Sequence, residues 1–268
     1  MLLLYTSQQN NCFGNTFLWR FLFSISAIAE DLMNFEYILA LFVLCLLYTA
    51  CIFFMKRMHT TKLFNLIFIA FVYVTYVCSC VYIYKTDTDP ARWNFLNTLP
   101  VANISPFMFS IMPILLILPK KVKEHVYLLI SMMVVGMFFS TVFSCVGNAV
   151  RCYKFHFHFM LDYLSHFALS AFGIYLVRTK QVKITAKNSI ISGSIILGVI
   201  TVMLVLNIFF DTAFFGLSLN GKHNIYNMVL VNNSYLSALI YFSGLILVLY
   251  LGFVLCNMIN KDRFRIKA

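Results

Sequence analysis

S-I-I-S-G-S-I-I-L-G-V-I-T-V-M-L-V-L-N-I-F-F, residues 189–210, carries no charged side chain and is long enough, as a helix, to cross a bilayer. The hydrocarbon core takes about 20 apolar residues of helix. Only a structure that satisfies its own backbone groups is stable there. Six further stretches read the same way: 36–55, 63–84, 99–118, 126–147, 159–177 and 235–256. None of the seven alternates apolar and polar residues continuously at a period of two, which excludes a transmembrane barrel. The sequence predicts an all-α polytopic membrane bundle of seven transmembrane helices.

Composition agrees. Charged residues are 11% of the 268 and hydrophobic residues 62%, where a soluble domain carries about 25% charged. The mean hydropathy is +0.87. The length allows one membrane domain, 33–268, and no separate soluble one. A net charge of +11 is no nucleic-acid footprint here, because the basic residues lie in short runs between apolar spans. Fourteen of the 20 Lys and Arg fall in 56–62, 119–124, 178–187 and 257–268. That bias predicts a cytoplasmic C-terminus and an outward-facing N-terminal end of span one. The expected location is a cell membrane, multi-pass, with membrane lipid as partner and no cofactor. Residues 1–32 form a tail or an interfacial segment, since the apolar run 17–29 is too short to span. Met33 is an alternative start, and no basic n-region or A-x-A site marks a cleaved signal peptide.

Span three contains Pro100, Pro106, Pro113 and Pro119. Each removes a backbone donor, so the span is expected to bend, either for packing or to open a pocket. In span six Ser189/Gly193 and Ser194/Gly198 are small residues four apart, a pattern that allows close helix contact. The eight Cys include no C-x-x-C pair. Cys145 and Cys152 fall on the outer side, where a disulfide is one arrangement and two free thiols the other.

Polar residues near membrane depth gather at the outer ends of the spans. Ionisable groups there are costly and mark functional sites by default. Span five opens F-H-F-H-F-M-L-D-Y-L-S-H, residues 155–166, with His158, Asp162 and His166 at i, i+4 and i+8, on one helix face. Asn103 and Ser105 sit near the outer end of span three, and Asn207 and Asp211 lie one turn apart at the end of span six. The loop that follows supplies His223. Spans three, five and six with the 211–234 loop are expected to line one pocket.

The leading chemistry places His166 as general base and Asp162 as its orienting partner, since imidazole titrates near neutrality and a carboxylate fixes its tautomer. The nucleophile would be water, a lipid hydroxyl, Ser105 or Ser165. Ser165 is a poor partner, because adjacent helical side chains diverge. Asn103, Asn207, Asp211, His223 and His158 would contact the substrate. A metal held by His158, Asp162 and His166 with Asp211 or His223 is an alternative that three ligands along one helix serve poorly. A non-catalytic protein or transporter binding a small polar or amphiphilic ligand at the same place is the other.

Leu99-Pro100, D-Y-L-S-H at 162–166 and L-N-I-F-F-D-T-A-F-F-G at 206–216 resemble the YwaF-like integral membrane proteins over about residues 36–256. The resemblance implies a seven-helix fold. Because that family includes eukaryotic relatives described as phospholipid acyltransferases, it also implies acyl transfer, with His166 matching the span-five histidine. Where the family places a Cys near the start of span three, this chain reads V-A-N-I-S-P-F at 101–107, without a thiol. That departure puts an acyl-Cys route in doubt: either Ser105 substitutes for the thiol, or the chemistry is not acyl transfer by that route, or the activity has been lost.

Overall fold

The structure, a computed structural model, describes residues 35–55, 62–86, 103–150, 157–210, 214–217 and 234–261. The described residues are helical, with no strand: α1 (Phe35–Met55), α2 (Lys62–Thr86), α3 (Ile104–Ile114), α4 (Lys120–Met132), α5 (Val134–Val150), α6 (Phe157–Arg178), α7 (Ala186–Phe210) and α8 (Ser234–Asn260). A single 3-10 turn, Phe214–Gly216, follows α7. Four helices are long and apolar enough to cross a membrane, and α4 with α5 makes a fifth if the bent pair is one span. The fold of the described residues is all-helical, and its apolar helices are compatible with an integral membrane protein.

Helix α6 is the axis of the bundle. It is 72% buried over its most apolar window, against 28% for α2 and α7 and 22% for α8. Helices α1, α2, α4, α5 and α8 all pack on it. Such a helix must be apolar all round, and from Ser165 to Val177 every residue is buried. The outward faces of α1, α2, α7 and α8 instead expose Phe42, Phe71, Phe209 and Tyr250, as lipid-facing surfaces do.

Two features depart from the sequence reading. Among the described residues span three is a helix only from Ile104 to Ile114. Pro113 cannot donate, and the chain tightens behind it: Leu116 N–H donates to Pro113 O and Ile117 N–H to Ile114 O, both at 3.1 Å. Span four starts earlier, at Lys120, and bends by 41° at Met133.

Close packing explains the bend. A Cβ added at Gly252 of α8 would lie 1.8 Å from the Met132 carbonyl oxygen, and one at Gly173 of α6 would lie 2.5 Å from Val134 Cγ2. Side chains bond the backbone where the helix breaks. The Ser131 hydroxyl reaches Gly173 O at 3.1 Å, Ser170 donates to Val134 O at 3.2 Å, and Cys256 Sγ approaches Ser131 O at 3.4 Å. The glycines that admit close helices are thus Gly173 and Gly252. Gly198, expected in that role, faces open space, and the nearest atom to a Cβ at Gly193 is 3.5 Å away.

At the far end of α6 the helix stops in a Schellman motif. Lys180 takes φ 57°, Gln181 N–H donates to Leu176 O at 3.0 Å and Lys180 N–H to Val177 O at 3.1 Å. The Gln181 and Asn65 amides then bond each other reciprocally, at 2.6 and 3.2 Å, tying this turn to α2.

Candidate functional site

A cavity of about 590 Å³ lies among the C-terminal half of α2, the stretch from Met133 to Ser144 that opens α5, and the N-terminal parts of α3, α6 and α8. Four of the residues singled out from sequence share its wall: Asn103, Ser105, Asp162 and His166. Helical spacing turns Asp162 and His166 the same way, while the intervening Tyr163 is buried against α1 and α5 with Tyr37, Leu44 and Cys145. Cys145 donates its thiol to Tyr37 O at 3.1 Å.

The imidazole is held tightly. His166 Nδ1 lies 2.8 Å from the main-chain carbonyl oxygen of Asp162 and 3.6 Å from Oδ1 of the Asp162 carboxylate. A carbonyl only accepts, so Nδ1 carries the proton. The group that orients the ring is therefore the Asp162 carbonyl, with the carboxylate standing slightly farther off. Phe109 of α3 packs edge-on against the ring, centroids 5.0 Å apart at 89°. In the neutral imidazole Nε2 then holds the lone pair, and it is the nitrogen left for another molecule. The His166 side chain is 7% exposed and that of Asp162 35%.

Asn103 is the N-cap residue of α3, but its side chain makes no capping hydrogen bond. Its amide is thus not spent on the helix end and stands in the cavity wall. Ser105, two residues on, has Met137 Sδ at 4.0 Å. The Ser165 hydroxyl turns away, 2.8 Å from Leu161 O and 2.9 Å from Thr75 Oγ1.

Helix α7 contributes no residue to the cavity wall, and Asn207 has other work. Its amide donates to Phe214 O at 2.9 Å and to Leu217 O at 2.5 Å, and its oxygen accepts from Phe214 N–H at 2.7 Å. These bonds hold the turn in which Phe215, at φ 58°, is driven fully into the core, 6.0 Å from the Phe107 ring. Asn207 was expected to contact substrate; in the structure its carboxamide is consumed by this turn. Asp211, His223 and most of the 211–234 loop lie outside the described residues, as does the side chain of His158. Among the described residues no three His, Cys, Asp or Glu side chains group as metal ligands.

No protein-family model, curated protein or solved structure matches the chain. The site therefore has to be read from its own geometry.

The sequence reading missed much of the wall. Helix α5 supplies Ser140, Thr141 and Ser144, and α2 supplies Tyr76 and Ser79. Helix α8 closes the opposite side with Tyr241, Gly244 and Val248. The signal was present for α5, where three hydroxyls fall within five residues of an apolar span. Toward Arg178 the polar lining ends, and the space below is filled by Phe68, Tyr127, Phe172 and Tyr175, with Phe68 and Phe172 centroids 5.4 Å apart.

Proposed function

We propose that the chain is a seven-span protein of a cell membrane, with its N-terminal end outside and its C-terminus cytoplasmic, that modifies a lipid by acyl transfer or hydrolysis. The charge bias of the loops supports the topology, and the resemblance to the YwaF-like family supports the chemistry. The carrying observation is the Asp162 carbonyl bond to His166 Nδ1, which leaves Nε2 as a base in a cavity that Ser105 also lines. A base so held removes the proton of an attacking hydroxyl or water. The nearby Asp162 carboxylate stabilises the imidazolium that results. The aromatic packing of Phe68, Tyr127, Phe172 and Tyr175 below the cavity argues against a continuous transport path.

A second reading, binding without catalysis, draws on the hydroxyls. Among the described residues neither Ser105 nor Ser165 is hydrogen-bonded to His166.

Lipid mass spectrometry of cells carrying the intact chain, set against His166→Ala, separates the two. The enzyme predicts an altered acyl composition that the variant abolishes. An acyl composition indifferent to His166 sinks the catalytic reading and leaves binding.

A further inference from the structure

Taking up a carboxylate at membrane depth has a large desolvation cost unless donors surround it. Among the described residues the Asp162 carboxylate accepts no hydrogen bond; its closest ionisable neighbour is His166 Nδ1 at 3.6 Å, and that proton is directed to a carbonyl. No Lys or Arg among the described residues lines the cavity. Asp162 is also the more open of the pair, with 35% of its side chain exposed. The donor it lacks is one that a bound molecule can bring.

The walls around it suit a positive head. Tyr76, Phe109 and Tyr241 share the cavity with Asp162, and aromatic faces attract cations rather than anions. The lining also has an apolar part, Met133 and Met137 at the start of α5 and Ile240, Leu245 and Val248 on α8. Gly244 stands in that stretch, and a Cβ built on it meets no atom within 4 Å. A cavity of about 590 Å³ is of the size that holds one small ligand, enough for a head and one chain.

We infer that the cavity takes a single-chain amphiphile with an ammonium head, the head paired with Asp162 and the chain running past Gly244 between α5 and α8. This rests on the cavity being the lipid site proposed above and names what it selects. A phosphate head would meet the Asp162 carboxylate with like charge and find no Lys or Arg among the described lining residues.

Dodecylamine and dodecyl phosphate share a tail and differ in head charge. Native mass spectrometry of the purified full chain, released from detergent micelles, counts bound probe directly. The expected result is a preference for the amine of at least about tenfold, the scale of one partly desolvated charge pair. Asp162→Asn should remove that preference while leaving the tail contacts. Gly244→Leu should weaken binding of both probes, and it fills open space in a helix where leucine is the better former, so helicity and thermal midpoint should be retained. Equal binding of the two probes, tighter binding of the phosphate, or a preference that survives Asp162→Asn overturns the ammonium assignment. If Gly244→Leu leaves binding unchanged, or neither probe binds, the cavity is not an amphiphile site and the parent reading falls with it.

Discussion

The first half of α6 carries its histidines and its aspartate, the second half no charged residue before Arg178, and the two have opposite surroundings. Between Phe157 and His166 the helix presents Asp162 and His166 to a cavity shared with four other helices. From Phe167 to Val177 it is enclosed without a break, its glycine pressed against the α4–α5 bend and its aromatics interleaved with those of α2. In the second half Ser170 and the Gly173 carbonyl are consumed by neighbouring backbone and hydroxyls. In the first half Ser165 is bonded in the same way, whereas the Asp162 carboxylate and His166 Nε2 face the cavity oriented but not consumed. A polar residue inside a membrane bundle is thus informative only together with what saturates it.

The contrast is breakable. The largest effect belongs to the cavity half: His166→Gln should lower the rate of lipid modification by about 100- to 10,000-fold, roughly 3–5 kcal/mol of barrier, and leave the thermal midpoint nearly unmoved. A variant that loses activity only because it unfolds would erase the distinction between the halves. In the enclosed half the signs reverse. Gly173→Val would drive a side chain into Val134 and the Ile130 carbonyl, costing about 3 kcal/mol or more of stability, read as a lower midpoint of thermal aggregation in detergent. Unchanged stability would mean that α4 and α5 are not seated on α6 as described.

Asn207→Ala sharpens the comparison from outside α6. It strips three hydrogen bonds from a buried turn and should cost about 2 kcal/mol, with probe binding in the cavity unaltered. Weaker probe binding at full stability would return Asn207 to the site. The smallest effect is a gain: Lys180→Gly relieves a left-handed residue at the end of α6 and should add about 1 kcal/mol. An equal or lower thermal midpoint would count against the Schellman geometry.

What the sequence made legible follows from which forces are local. Apolar length marks the helices, and the i, i+4 spacing of Asp162 and His166 places both on one face before any neighbour is known. Span three read as one full helix because four prolines signal a bend without saying where the donors fail; Pro113 followed by the 3-10 turns decides it. Gly173 and Gly252 were passed over for Gly193 and Gly198, since small residues announce a possible approach and only the packing shows which is used. Asn207 looked like a site residue for a similar reason. Its partners are backbone atoms seven and ten residues away, in a turn whose conformation no local pattern announces.

The bond that fixes the imidazole comes from the main chain at position 162, and this has a consequence for genetics. Any residue placed there that keeps the helix keeps the carbonyl, so conventional substitutions at Asp162 edit the charge beside His166 and leave its tautomer untouched. A scan of side chains would rank the position by electrostatics alone. Only a change in the peptide link itself, such as an ester between residues 162 and 163 that makes the carbonyl a poorer acceptor, reaches the tether, and the genetic code for twenty residues has no word for it.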